Sequence, residues 1–415
     1  MCVAPIGKVL EINNGKGLCD FEGVKKEVTL MLLPQAKIGD YVVVHAGYAV
    51  QIVKDYKKLL QEMVTRNVQG ERLLALIAEE NAKFGHQELK IMNFCGTHEY
   101  SIVKYGLREI LADNIRLIAG PGCPVCVVPE EEIMTAWALL EKEDVILTTY
   151  GDMYRVPTAK GALKDAKALG YDVRVVYGVD EAVKLARSTD KQVVHLAIGF
   201  ETTAPTTASA LLEAADLKNF SLLSSHRFSA PVMEYVLTNN QLDAVLCPGH
   251  VAAIIGEQPF EAVVKKYNLP GVISGFEPLD VLESILMILK QKNSGDIKLE
   301  NQYERVVEDK GNTVAREAMD KVFKPEDAVW RGFPCLPASR MVLRDEYAEF
   351  DAVKKFNLQD KIEVKKKTAC LCGKVLQGRH PSECSLFNHK CNPENPAGPC
   401  MVSQEGPCFI AFQYQ

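Results

Sequence analysis

The chain has 415 residues, 47% of them apolar and 25% charged, and its net charge is −6 at pH 7. That composition feeds the cores of roughly two to four domains in an ordinary water-soluble protein. It excludes a basic nucleic-acid surface, and no run of about 18 or more apolar residues offers a membrane span. Met1 to Gly7 lack the charged and apolar regions of a signal peptide, so a cytoplasmic location is expected. In that reducing compartment thirteen cysteines point to metal or redox chemistry rather than to a disulfide framework.

Residues 1–53 hold the short β-type runs Val9–Ile12, Val28–Leu32 and Tyr41–His45, with turns at Asn13-Asn14-Gly15 and Ile38-Gly39-Asp40. The pattern predicts a small β-barrel, too small to bury much surface alone and so expected to lean on a partner surface. Residues 54–88 turn helical, with Leu59, Leu60, Met63, Leu73, Leu74, Ile77 and Ala78 at helical spacings, and form a bridge. From Leu89 strands and helices alternate, which predicts parallel α/β sheets. The reading divides this region into two Rossmann-like lobes facing a cleft, residues 89–215 and 216–364.

Several predicted strands end in polar, Gly- or Pro-bearing loops, which is where open α/β sheets bind ligands. The stretch Met92–Val127 carries two of them. Cys95-Gly96-Thr97-His98 offers one sulfur and one imidazole at i and i+3, a spacing that can present both to one ion. Gly120-Pro121-Gly122-Cys123-Pro124-Val125-Cys126 leaves the predicted strand Ile115–Ala119 and precedes a helical pattern opened by Glu130, Glu131 and Glu132. A CxxC at a strand-to-helix turn is expected to be a redox pair, because a helix N-terminus favours thiolate. Asp152, Arg155, Glu201, His250, Glu277 and Asp280, on the other strand-end loops, are candidate cleft charges or satisfied loop polar groups.

Residues 365–415 change character. Cys370, Cys372, Cys384, Cys391, Cys400 and Cys408 crowd a stretch punctuated by Pro and Gly, with almost no regular structure expected. So little core needs a covalent or metal staple. Zinc competes, but zinc sites favour paired CxxC knuckles, whereas one CxC followed by dispersed cysteines suits a cubane iron–sulfur cluster. The expected ligands are one of Cys370 or Cys372 with Cys384, Cys391 and Cys408. Cys2 is a candidate exposed N-terminal thiol, His45 ends a strand, and Cys19, Cys247 and Cys335 are expected to be packing residues.

Together these motifs resemble two [NiFe]-hydrogenase maturation families joined in one chain. Residues 1–53 look like HypC, a small β-barrel chaperone, through the N-terminal cysteine and Gly39-Asp40-Tyr41-Val42-Val43-Val44-His45-Ala46-Gly47. The later part looks like HypD through Cys95–His98, Gly120–Cys126, Gly199–Pro205, Pro248–Val251, Gly275–Asp280, Trp330-Arg331-Gly332 and Cys400–Gly406. The resemblance implies a scaffold for an iron carrying two cyanides and one carbon monoxide. In this reading Cys2 and Cys95 are iron ligands, His98 and His45 lie at or near the iron, Cys123 and Cys126 are redox-active, and the tail holds a [4Fe-4S] cluster. It implies HypE, fed by HypF, as cyanide donor and a hydrogenase large-subunit precursor as acceptor. The rival reading of the same motifs is a cluster-dependent thiol–disulfide oxidoreductase acting on a protein disulfide. A structural zinc protein with an α/β cleft is the third.

Overall fold

The computed structural model describes residues 6–21, 24–53, 66–358 and 369–414. Cys2, assigned to the iron, lies outside the described residues, as do Leu59, Leu60 and Met63 of the bridge.

Strands β1 (Ile6–Asn13), β2 (Lys16–Phe21), β3 (Val24–Thr29), β4 (Tyr41–His45) and β5 (Tyr48–Ile52) close into a barrel in the order β1-β2-β3-β5-β4. The turn between β1 and β2 is Asn14-Gly15, both with positive φ, the conformation a tight two-residue hairpin needs. Val-Val-Val in β4 is explained by burial on both faces. Val42 and Val44 point into the barrel with Val9, Cys19, Val28, Leu30, Leu33 and Ala49. Val43 points out, with Leu32, Tyr48, Val50 and Val53, into the main core shared with the α/β lobes. Asn312 fastens the contact, donating from Nδ2 to Leu32 O at 2.8 Å and to Val50 O at 2.9 Å. A side chain on Gly47 would meet Tyr177, and one on Gly178 would meet Ala46 O. The barrel is therefore seated on the lobes, as its size requires.

The described part of the bridge is the helix Arg66–Lys83, which packs on the helix Pro278–Ser294. Two all-parallel sheets follow. One runs β14-β13-β12-β6-β7, from β6 (Leu89–Asn93), β7 (Ile115–Ala119), β12 (Ala244–Pro248), β13 (Gly271–Ser274) and β14 (Leu299–Asn301). The other runs β11-β10-β8-β9, from β8 (Val145–Thr149), β9 (Val173–Val175), β10 (Gln192–Gly199) and β11 (Phe220–His226). The lobes thus differ from a division near residue 215. The chain lays down two strands of the first sheet, builds the whole second sheet, and returns. A parallel strand needs a crossover whichever sheet it joins, so sequence order alone does not assign it. The consequence is functional: the loop after β7, which carries the CxxC, is where the chain crosses from one lobe to the other.

An antiparallel hairpin of β15 (Phe323–Val329) and β16 (Cys335–Leu343) flanks β11, with Arg340 Nη2 donating to Ser224 O at 2.7 Å. The tail is mostly turns and short 3-10 segments, but Pro407–Tyr414 is helical and packs on the helix Gly96–Lys104. Among the described residues no helix is long and apolar enough to cross a membrane.

Candidate functional site

Cys95 follows β6 and N-caps the helix Gly96–Lys104. The CxxC loop lies directly on it. Gly96 N donates to Gly122 O at 3.2 Å, and Gly120 N donates to Asn93 O at 2.8 Å. A Cβ on Gly120 would strike Asn93 O, and one on Gly122 would strike the Cys95 backbone, so only glycine permits this stacking of loops. Glu405 of the tail closes the third side. It packs on Gly96 and accepts a hydrogen bond from Thr97 Oγ1 at 3.3 Å. Burial, reinforced by the Glu405 charge, pushes the Cys95 thiol up to about 12, against the pull of the Thr97 and His98 N–H groups. Unligated Cys95 is therefore a thiol at neutral pH, and binding a metal must displace its proton.

His98 is fully buried. Its Nε2 faces two carbonyls, Ser274 O at 3.1 Å and Gly275 O at 3.0 Å, so that nitrogen carries the proton and donates. Nδ1 then carries the lone pair, and it has no partner among the described residues. Burial pulls the imidazole down to about 4, so it is neutral. A neutral imidazole held by one nitrogen with the other free is the form in which histidine binds a metal. Phe276 stacks on His98 with centroids 4.6 Å apart and on His250 at 3.8 Å. Burial, then the charges of His45 and His98, hold His250 well below its ordinary value. Burial also pulls His45 down to about 4. The barrel's His45 thus belongs to one electrostatic neighbourhood with two strand-end histidines. It also lines a small cavity with Val125, Asp152, Thr203, Ser403 and Glu405, where barrel, CxxC loop, second sheet and tail meet.

Cys123 and Cys126 are joined in a disulfide. Cys123 N-caps the short helix Pro124–Val127, and its Sγ accepts from Cys126 N at 3.1 Å. The Glu-rich helix follows as Glu130–Lys142. The pair is almost fully buried, 1% and 0% exposed, which bars a folded protein substrate from its sulfurs.

In the tail, the sulfurs of Cys372, Cys400 and Cys408 lie within 4.8 Å of one another. Cys370 Sγ is 3.2 Å from Cys372 Sγ. Cys391 accepts from Ala397 N at 3.2 Å and feels the charges of Cys370, Cys372 and Cys384. Hydrogen bonds from Cys372 and Cys400 lower the Cys408 thiol to about 6. Soft thiols converging from several turns, all but Cys370 buried, fit a thiolate-ligated metal centre. Cys400 stands in the converging group although the expected ligand set omits it. Spacing alone cannot rank six dispersed cysteines.

The other cleft candidates separate. Asp152 and Arg155 hold the tail: Ser403 Oγ donates to Asp152 Oδ2 at 3.1 Å, and Arg155 Nη2 donates to Asp152 Oδ1 at 3.1 Å and to Val402 O at 3.3 Å. Glu201 is buried, its Oε1 accepting from Ser229 N at 2.9 Å and Ser229 Oγ at 3.0 Å, and burial pushes its carboxyl up to about 7. Glu277 is exposed and N-caps the helix Pro278–Ser294, while Asp280 pairs with Arg305 at 2.5 Å. Cys19 and Cys247 are packing residues as expected, but Cys335 opens β16 at the surface and is exposed. Glu405 and Ser403 carry no signal in their spacing. What ties them to the site in the sequence is their place in the Cys400–Gly406 segment that carries the resemblance.

A family model for HypD, described as "Hydrogenase formation hypA family", matches residues 69–415, and one for the HupF/HypC family matches residues 1–61. The chain is 47% identical over 335 residues to a putative hydrogenase expression/formation protein of Methanocaldococcus jannaschii, covering 79% of this chain and 92% of that one. It is 42% identical over 342 residues to hydrogenase maturation factor HypD of Cupriavidus necator, covering 79% and 90%. It is 39% identical over 358 residues to the factor of the same name in Escherichia coli, covering 83% and 96%. With the barrel seated on the lobes and the two family models matching residues 1–61 and 69–415, the chain belongs to the HypD family of hydrogenase maturation factors and carries a HypC-family module at its N-terminus.

Proposed function

We propose that this protein is a scaffold on which the iron unit of the [NiFe]-hydrogenase active site, carrying two cyanides and one carbon monoxide, is assembled. The observation that carries the reading is the pairing of Cys95 with a neutral His98 whose Nδ1 lone pair is unengaged, on a loop stacked against the one that holds a buried disulfide. In this reading Cys95 and the N-terminal Cys2 are the iron's thiolate ligands, with His98 and His45 at or near it. Low-spin iron with strong-field diatomic ligands is well served by soft thiolates. Cys95 gives up its proton when iron binds. The Ser274 and Gly275 carbonyls keep the His98 Nδ1 lone pair available for the iron. Cys123 and Cys126 cycle between disulfide and dithiol, and reduction of the pair consumes two electrons and two protons. In the tail, Cys372, Cys400 and Cys408 with one of Cys370, Cys384 or Cys391 would hold a [4Fe-4S] cluster, which supplies one-electron chemistry when bound. The partners of this reading are HypE as cyanide donor, itself fed by HypF, and the hydrogenase large-subunit precursor as acceptor, all in the cytoplasm. Burial of the disulfide argues against the rival oxidoreductase, whose protein substrate would have to touch those sulfurs.

Infrared spectroscopy of anaerobically purified protein tests the reading. Cyanide and carbonyl stretching bands that disappear in Cys95→Ala are expected. A wild-type protein isolated with its maturation partners and showing neither band refutes the scaffold, and zinc in place of iron would leave only a structural role for the tail.

A further inference from the structure

Trp330-Arg331-Gly332 touches both redox candidates. Arg331 N donates to Val127 O at 2.8 Å, and its Nε donates to Val128 O at 3.0 Å, the carbonyls of the last residue and the C-cap of the CxxC helix. Trp330 beneath it is fully buried and donates from Nε1 to Ser339 Oγ at 3.0 Å, so the segment is anchored. On the other side Gly332 lies against Gly373, the residue after Cys372. A Cβ on either glycine would strike the other's backbone. Gln377 Nε2 donates to Gly332 O and ties the same turn.

The guanidinium itself is incompletely satisfied. Nη2 is buried and has no hydrogen-bond partner among the described residues, and none of their carboxylates pairs with Arg331. The guanidinium also lies close enough to Cys370 for the two groups to interact electrostatically. Arg331 as a whole is half-buried, but a buried cationic N–H without an acceptor is costly, and arginine does not escape by losing its proton. A negative group in front of Nη2 removes that cost. Thiolates supply that charge: four of them on a cubane core leave the centre net negative, and net charge around such a centre sets its reduction potential.

We propose that Arg331 is the counter-ion of the metal centre held by the tail cysteines, and that it sets that centre's reduction potential while tying it to the CxxC helix. The inference rests on the tail holding an iron–sulfur cluster. Arg331 is a positioning residue here, since it acts through the thiolates and the Val127 and Val128 carbonyls.

The test is a redox titration of the full-length protein, anaerobically reconstituted, followed by visible absorbance and electron paramagnetic resonance. Arg331→Gln should keep the wild-type iron content and move the midpoint to a more negative potential, because the added electron loses a stabilising charge. Arg331→Lys should stay near wild type. Failure of Arg331→Gln to load iron, with Arg331→Lys loading normally, also supports the role, since lysine restores the charge without the guanidinium fork. An intact cluster with an unmoved midpoint in Arg331→Gln overturns it. So does Arg331→Lys behaving like Arg331→Gln in midpoint or loading, which would assign the effect to the hydrogen-bonded strut. A wild-type chain that takes up no cluster sinks the reading of the tail itself, and is told apart by its missing absorbance before any variant is compared.

Discussion

Replacing Asn312 with Ala should release the barrel from the lobes. Asn312 does three things with one side chain: Nδ2 holds the buried carbonyls of Leu32 and Val50, and Oδ1 accepts from Ala315 N at 3.0 Å as N-cap of the helix Thr313–Val322. Loss of the cap costs about 1 kcal/mol. Each barrel carbonyl left buried without a donor costs about 1 kcal/mol more, so Asn312→Ala should destabilise the seated barrel by about 3 kcal/mol. Asn312→Ser keeps a capping oxygen but does not reach the barrel, and should cost about 2 kcal/mol. Hydrogen exchange followed by mass spectrometry reads this locally. Peptides containing Leu32 and Val50 should exchange roughly a hundredfold faster in Asn312→Ala. The helix Thr313–Val322 should loosen in the Ala variant and stay protected in the Ser variant. Wild-type protection of the barrel peptides in Asn312→Ala would refute the reasoning, because the apolar contact alone would then hold the barrel.

Gly122→Ala places a methyl against the Cys95 backbone, which cannot yield as a side chain would; a loss of about 1–3 kcal/mol is expected, with faster alkylation of Cys95, and an unchanged melting temperature and alkylation rate would contradict it. Without reductant, Cys123 and Cys126 should resist alkylation and then label together after reduction, with a two-hydrogen mass gain confined to that loop; free labelling of both in oxidised protein removes them from redox chemistry. Glu201, at about 7 when folded against 4.5 when unfolded, holds its proton more tightly in the native state. Its contribution is complete below pH 4.5 and is lost as pH rises through 7, about 3 kcal/mol in all. Buried histidines such as His195, His226 and His98 slope the other way, because protonation favours the unfolded chain as pH falls below 6.5. The clean measurement is therefore the difference in unfolding free energy between wild type and Glu201→Gln across that range, and a pH-independent difference would show that Glu201 is not held protonated.

How much of this was legible depended on whether a signal was local. The runs Val9–Ile12 and Tyr41–His45, the Asn14-Gly15 turn and the loops at Cys95 and Cys123 are written in short-range pattern and appear where that pattern puts them, whereas Val28–Leu32 overlaps only the end of β3, and β2 and β5 carry no such run. Strand β11 was not legible: Phe220–His226 ends in Ser-Ser-His, polar residues buried by the hairpin β15–β16, a contact between distant segments. Sheet membership was not legible either, since the return of the chain to the first sheet is decided by packing rather than by any one strand. The same holds in the tail, where six cysteines announce a metal centre but only the fold distinguishes Cys400 from its neighbours. For Asp152 and Arg155 residue type was readable and role was not. They sit at a strand end as expected, yet their bonds go to Val402 and Ser403.

Those last bonds explain why the site needs the whole chain. Cys95 is walled by three segments that are remote in sequence: the CxxC loop through Gly122, the tail through Glu405, and the strand-end loop bearing Phe276 through His98. The segment between Cys400 and Cys408 is fixed at both ends by the thiol cluster and along its length by Asp152, Arg155 and Thr97. The barrel adds His45 at the cavity and is itself fixed by Asn312, which caps a helix of the lobes. The loops that carry Cys95, Gly122 and Phe276 follow β6, β7 and β13 and so belong to one sheet, whereas Asp152 and Thr203 come from the other sheet, Glu405 from the tail and His45 from the barrel. The pocket is complete only when these parts are all in place, so the geometry around Cys95 reports on their assembly.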